Sequence, residues 1–381
     1  MTMASASAAA EQRGTRGDAG VRTASRGLVR AAEERDLPAL AALYDRVHGP
    51  PGGGDTRRFL AERLFNLPWP DPQLPSLVYE DRDGRIAGLL GVVPRPMLFR
   101  GEPIRIALAH HFMVAPEARS TLASVELTRT LLAGPQDLTV AEACAPWREL
   151  WEHIGGETSL VDSLTWIRVL RPASLACGAA ARLVRRRSVP RLLHPAMRAV
   201  DRLTARMSGS VAPPPGVPRP SRILDTDDLL RCLHRLRAGS LQPVWNTNSL
   251  GYAIDRLRDQ HVRGTLLAIE VGGNGASPAG CYVYFLRPAG LSQLVLLAAR
   301  RGQTGEVVGH LLRHAWMNGA GAVAGQVDRA TWPALADAGA VIVQRSDGWR
   351  LVHSRRHDIV GALQRGEAAL TRLESEWWLV R

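Results

Sequence analysis

The sequence predicts two mixed α/β domains in tandem, and three observations carry that prediction. From Leu28 to Leu170 the apolar periodicities run in the order strand, two helices, hairpin, long strand, helix, strand, helix, strand. A looser version of that order returns after Ser221. Between them lies Pro213-Pro214-Pro215-Gly216-Val217-Pro218-Arg219-Pro220, a stiff segment that reads as a domain boundary. The chain divides accordingly into a leader (1–27), a first domain (28–175), a basic helical linker with a proline-rich end (176–220) and a second domain (221–381). With 381 residues, 45% of them hydrophobic, it is long enough to bury a core in each domain.

Composition bounds the chemistry. The 48 basic residues against 36 acidic ones give a net charge of +12, and since lysine is absent every basic side chain is an arginine. Positive charge is therefore fixed at any ordinary pH, and Schiff-base or lysine-base chemistry is excluded. Cys144, Cys177, Cys232 and Cys281 show neither CxxC nor Cys/His ligand spacing, so neither a metal site nor a disulfide framework is expected. No apolar run is long enough to cross a bilayer. Residues 1–27, rich in Ala, Ser, Gly and Arg, lack the apolar block of a secretory signal and read as the disordered leader of a cytoplasmic protein.

Local signals justify each element. Leu28 to Ala32 is a short strand; Asp36 caps a helix with Leu37, Leu40, Leu43, Tyr44 and Val47 on one stripe, and a second helix follows Asp55-Thr56 through Phe59, Leu60, Leu64 and Phe65. Ser76 to Glu80 and Ile86 to Val93 flank the polar turn Asp81-Arg82-Asp83-Gly84, as in a hairpin. Phe112, Met113 and Val114 continue an apolar strand, Pro116 cannot join a ladder, and the small residues Ser120 to Ser124 open a helix. Such a helix start offers unpaired N–H groups and a positive dipole end, a ready site for phosphate. Leu138 to Cys144 reads as the next strand, Trp147 to Gly156 as a glycine-capped helix, and 160–170 as the last strand of the first domain.

At Val114-Ala115-Pro116-Glu117-Ala118-Arg119 the chain resembles the GNAT superfamily, the acyl-CoA-dependent N-acyltransferases, in which an arginine is followed by a glycine-rich turn around the coenzyme A pyrophosphate. Counting from Arg119, the two glycine positions fall on Leu122 and Ser124, where side chains stand in place of bare backbone. Trp147 to Gly156 is similar to a further family segment, with Trp151 at the position of a tyrosine that protonates the leaving thiolate and Cys144 at an asparagine. Indole N–H is no proton source at neutral pH. The resemblance implies acetyl-CoA or another acyl-CoA as cofactor, held by Val114, Arg119, Ser120, Thr121, Leu122, Ala123 and Ser124. The tandem layout with its Trp377-Trp378 ending looks like bacterial tandem-GNAT proteins.

In the second half Ser221 to Asp225, Leu266 to Val271, Tyr282 to Leu286 and Leu294 to Ala299 are strand candidates, and 227–236 and Glu306 to Met317 helix candidates. Its Arg300-Arg301-Gly302-Gln303-Thr304-Gly305 turn has glycines out of register with the family pattern, and Trp332 again replaces tyrosine, so this domain reads as a degenerate GNAT-like unit. The arginine-rich 182–206 stretch, nearly free of acids, reads either as a connecting helix with a solvated face or as a site for an anionic surface, membrane or RNA.

Acyl transfer needs a base for the acceptor's proton and a donor for the developing oxyanion. The nearest bases are His110 and His111; neighbours on a strand point to opposite faces, so only one can face the acceptor cleft. Glu142 on the adjacent strand is the reserve. The sequence expectation is an N- or O-acyltransferase whose acceptor is a small molecule, glycan or peptide; the alternatives are a non-catalytic tandem-GNAT binding or scaffold protein and an aminoacyl-tRNA-dependent transferase.

Overall fold

The computed structural model describes residues 27–49, 55–119, 122–176, 219–236, 239–272, 278–344, 348–368 and 370–379. Residues 1–26 of the predicted leader, the 182–206 stretch, Ser120 and Thr121 lie outside the described residues. The first half runs β1 (Leu28–Ala31), α1 (Leu37–His48), α2 (Thr56–Leu64), β2 (Leu77–Glu80), β3 (Ile86–Phe99), β4 (Glu102–Val114), α3 (Ala123–Leu132), β5 (Leu138–Ala143), α4 (Ala145–His153), β6 (Glu157–Ser159) and β7 (Leu164–Val169). The second runs β8 (Ser221–Ile223), α5 (Thr226–Arg235), β9 (Leu241–Pro243), α6 (Thr247–Arg258), β10 (Thr265–Val271), β11 (Gly280–Leu286), β12 (Leu291–Ala299), α7 (Thr304–Met317), β13 (Ala322–Gln326), α8 (Trp332–Asp337), β14 (Val341–Gln344), β15 (Trp349–His353) and α9 (His357–Arg365). Two 3-10 turns, Arg372–Glu374 and Glu376–Trp378, end the described chain.

Helix starts follow the cap signals: Asp55 accepts from the Arg57 N–H, Asp225 from Asp228, and Asn246 from Ser249 in a capping box. β3 tolerates Pro94 and Pro96 because its pairing with β2 ends at Leu90, so no neighbouring strand asks these positions for an N–H on that side. β9 then joins β3 at Met97–Phe99.

The strands form two sheets, ordered β1-β2-β3-β4-β5-β15-β6, with β9 beside β3, and β14-β7-β13-β12-β11-β10-β8. This corrects one expectation. The strand predicted over 160–170 forms as β7, but it pairs with β13 and β14 of the second half, while β15 from the second half inserts between β5 and β6. The exchange has a packing reason. Trp166 on β7 is fully buried over Gly325 of β13, where a Cβ would meet the indole at 2.8 Å. Strand propensity cannot name a partner, and shape complementarity across the pair did.

Three apolar clusters result. One lies under α1 to α4 with Leu40, Phe59, Leu127 and Trp151; one under α7 with Trp166, Tyr282 and Leu311. The largest joins both sheets, packing Met97, Phe99 and Val140 against Leu250, Phe285 and Trp378. The halves therefore share a core as well as strands. Among the described residues no helix is long and apolar enough to cross a membrane.

Candidate functional site

β4 and β5 are paired in parallel only where Ile106–Leu108 faces Leu138–Val140; beyond that the two strands part. β4 also bulges, since three residues of β3 (Leu89 to Gly91) face four of β4 (Met113 to His110), and His111 takes φ +47°. A bulge leaves a backbone N–H without a ladder partner. Into the gap comes the turn Glu376–Trp378, packed against both strands.

Glu376 is half-buried, and its carboxylate accepts the His111 backbone N–H. Burial, reinforced by the nearby Glu142 carboxylate, pushes its pKa up to about 8, against the opposing pull of that N–H and of Arg350. Arg350, on the exchanged strand β15 and 1% exposed, ion-pairs with Glu142 at 3.0 Å and donates to the Glu374 carbonyl at 2.7 Å and to Gln326 Oε1 at 3.0 Å. A single guanidinium thus joins β5, the C-terminal segment and β13 of the other half. Arg95, stacked between Trp69 and Trp245, donates to the Leu373 carbonyl at 2.8 Å; Arg63 donates to the Leu379 carbonyl at 2.6 Å and Gln260 to that of Trp378 at 2.9 Å. These buried donors hold the segment that presents Glu376.

The expected bases lie beside this centre. The alternation rule predicts opposite faces for His110 and His111, but the bulge turns both rings to one side, with Nδ1 atoms 2.6 Å apart. Both rings are buried under α1 and α2, His111 against Tyr44 and Phe59, His110 over Gly91, and neither Nε2 has a hydrogen-bond partner among the described residues. Burial and the Arg63 charge push the His110 pKa down to about 3, and burial with the neighbouring His110, Arg63 and His48 lowers that of His111 as well, so both are neutral. Glu142 faces Arg350 at the gap's edge.

At the proposed phosphate turn Arg119 is exposed, Leu122 is the N-cap of α3 with no side-chain cap bond, Ala123 is buried, and Ser124 gives its carbonyl to Thr128 Oγ1. Val114 is buried and pairs with Gly88. Trp151 is fully buried, its Nε1 donating to the Val352 carbonyl of β15 at 3.1 Å, so the indole at the tyrosine position secures the exchanged strand. Glu376 and Arg350 are functional candidates that sequence reasoning missed. The available signal was local: Ser375-Glu376-Trp377-Trp378 places one acid inside an apolar end, an unusual neighbour set for a solvated carboxylate.

The second half repeats the geometry, with the turn Arg372–Glu374 packed against β12. β12 and β13 pair in parallel only at Leu291–Gln293 against Ala322–Ala324, and β12 bulges at Val295. The space between them is a cavity of about 290 Å³.

Among known proteins no family profile and no curated sequence matches this chain. Solved structures do. A GCN5-related N-acetyltransferase from Anabaena variabilis ATCC 29413 superposes with a TM-score of 0.56 at 13% identity, covering 87% of this chain and 74% of its own. One from Kribbella flavida gives 0.53 at 14% identity, covering 90% and 73%. A probable N-acyltransferase from Enterococcus faecalis V583 gives 0.57 at 10%, covering 86% and 72%. With its parted strands, β4 bulge and repeated halves, this chain has the GCN5-related N-acetyltransferase (GNAT) superfamily fold, built as two GNAT-like domains that trade a strand.

Proposed function

We propose that the protein is an acyl-CoA-dependent acyltransferase, moving an acetyl or other acyl group to an amine or hydroxyl, with its reaction centre in the gap of the first half. One observation carries the reading: a carboxylate with a raised pKa, Glu376, is held at the mouth of parted strands by four separate buried anchors. An acid kept there at the cost of desolvation is tuned for proton transfer near neutral pH.

Bound coenzyme A would supply an activated thioester. The residues fit such a group in part: exposed Arg119 stands beside the start of α3, so a guanidinium and the positive end of the helix are near where its phosphates would lie. Glu376, once ionised, accepts the proton of the attacking amine or hydroxyl. Arg350 holds the Glu142 carboxylate in place at 3.0 Å, and the charge of Glu142 favours the protonated Glu376 that forms. Since Trp151 is turned to β15, the departing thiolate is protonated by solvent; a thiol of reference pKa about 8.5 leaves without an acid. His110 and His111 support the bulge that presents the His111 N–H.

Coenzyme release from acetyl-CoA with a panel of amines and alcohols, from about pH 6 to about pH 9, tests this. Turnover should climb as Glu376 ionises near its pKa of about 8. Glu376→Gln should lower it about 10²–10⁴-fold and remove the rising limb while the fold is kept. Release that is equally fast in the variant overturns Glu376 as base. Acetyl-CoA binding with no transfer to any acceptor supports the binding-protein alternative instead.

A further inference from the structure

α7 carries a pair of histidines that acyl transfer leaves unused. Its apolar stripe, from Val307 and Val308 to Leu311, Leu312 and Ala315, is buried on the sheet, and His310 and His314 stand beside that stripe, one turn apart and half-buried. Beneath them β11 presents Tyr282 and Tyr284, both fully buried. Two residues of strand span about the length of one helical turn, so the contact repeats: the Tyr282 hydroxyl meets His310 Nδ1 at 3.0 Å and the Tyr284 hydroxyl meets His314 Nδ1 at 2.7 Å. The two imidazoles lie 20° from parallel with centroids 6.1 Å apart. Each ring is held by Nδ1, and Nε2 is the nitrogen left for another partner.

The tautomer of one ring follows from its neighbours. Asn318 Nδ2 donates to the His314 carbonyl at 2.8 Å, which fixes the orientation of that amide, and the same Nδ2 lies 3.4 Å from His314 Nε2. A donor on that side leaves Nε2 with its lone pair, so Nδ1 carries the proton and donates to the Tyr284 oxygen. A metal-ligating histidine has this arrangement, its second nitrogen donating to an acceptor that fixes the ring. Burial lowers the pKa of both histidines and raises that of both phenols, so at neutral pH the rings are uncharged and the hydroxyls stay protonated.

The surrounding charges are mixed. Glu306, one turn before His310, favours a cation and is paired with Arg219 at 3.1 Å. Arg313, about 80° around the helix from the mean direction of the pair, opposes one, and Arg171 is turned to the Trp316 carbonyl at 2.8 Å. From β10 and β12 the same core receives only apolar side chains, Leu267, Ile269, Leu294 and Leu297 among them. No third His, Cys, Asp or Glu joins the pair among the described residues, so a bound ion keeps positions open to water. Neutral imidazoles suit zinc and its late first-row neighbours, not the hard cations that oxygen ligands hold. We propose that His310 and His314 form a two-histidine site for a divalent late transition-metal ion, chelated through their Nε2 atoms, with the Tyr282 and Tyr284 hydroxyls orienting the rings. Histidines four residues apart on a helix span one ion. To share it at about 2.1 Å from each nitrogen the centroids close to about 5 Å, a small rotation of each ring. The site does not depend on the acyltransfer reading.

Calorimetry on the untagged full chain with zinc chloride tests the site, with nickel and magnesium chlorides beside it. Zinc and nickel should bind and magnesium should not. His310→Gln and His314→Gln should each weaken zinc binding about tenfold or more, and Tyr284→Phe about tenfold, whereas His357→Gln, at an exposed histidine of α9, should leave it unchanged. Should a variant fail to fold, nitrogen resonances of wild type labelled in its histidines replace it: the Nε2 signals of His310 and His314 should be the first to shift on adding zinc. No zinc heat, equal binding of magnesium, affinity unchanged in His310→Gln or His314→Gln, or first shifts at other histidines would each overturn the inference. Affinity unaltered in Tyr284→Phe would overturn the orienting role of that hydroxyl.

Discussion

The two halves open the same pair of parallel strands and then treat the opening differently. In the first, the chain's own end enters the gap, and Glu376 caps the bulge N–H of β4. In the second, the bulge at Val295 faces a cavity. The difference lies in what the C-terminal segment does: the turn Arg372–Glu374 packs against β12 and lines the second gap, and the turn Glu376–Trp378 packs against β4 and β5 at the first. A repeated fold therefore supplies two equivalent openings, and one segment of about ten residues brings Glu376 to the first and Arg372 and Glu374 to the wall of the second. Function on a repeated scaffold is set by such late, non-repeated pieces of chain.

Arg350 is the place to break the comparison with the largest effect, because it touches both openings. Arg350→Met removes a buried guanidinium from Glu142, the Glu374 carbonyl and Gln326 together. Breaking a buried pair in this way costs about 3–5 kcal/mol, read as a lower urea midpoint, with turnover reduced beyond the loss of fold. An unaltered midpoint would show that the two gaps are not linked there.

Acid separates the halves next. His110 and His111 are neutral in the folded chain and charge freely once unfolded, so their stability contribution is complete above about pH 6.5 and falls as pH drops toward the folded value of about 3. For His110 alone the loss by about pH 5 is about 2 kcal/mol. In the second half His310 and His314 are half-buried and bonded to Tyr282 and Tyr284 at 3.0 and 2.7 Å, with pKa values also lowered by burial. Urea unfolding at two pH values should show a flatter acid loss in His110→Phe than in His310→Gln. Equal slopes would place the acid sensitivity elsewhere.

Glycines sharpen the contrast further. A Cβ at Gly91 would stand 2.5 Å from the His110 ring, so Gly91→Ala should destabilise by about 1–3 kcal/mol, and His110→Ala should relieve most of that in a double-mutant cycle. Gly305, in the first turn of α7, has open space around its Cβ position. Gly305→Ala should stabilise by about 0.5–1 kcal/mol, read as a small rise in the thermal midpoint.

Much of the fold was legible because its signals are local. The strands at 28–31, 77–80 and 86–93, the helix start at Asp55-Thr56, and the helices ending at His48, Leu132 and Met317 follow from periodicity and turn chemistry within a dozen or so residues. By contrast, Trp349–His353 is five residues of ordinary strand composition that could pair anywhere, and the 160–170 strand was placed in the wrong sheet for the same reason.

By itself the sequence determined the element order of the first half, the tandem repeat, the all-arginine charge and the absence of lysine chemistry, because each is written in composition or in contacts between near neighbours. Tertiary structure alone decided which strands cross between halves, that a bulge brings His110 and His111 to one side, and that Glu376 meets Glu142 and Arg350. These depend on packing across long stretches of chain, where burial of Trp166, Trp151 and Trp378 selects one arrangement among many with equal local propensity. The same burial that selects the arrangement raises the Glu376 pKa, so its chemistry appears only when the fold is complete.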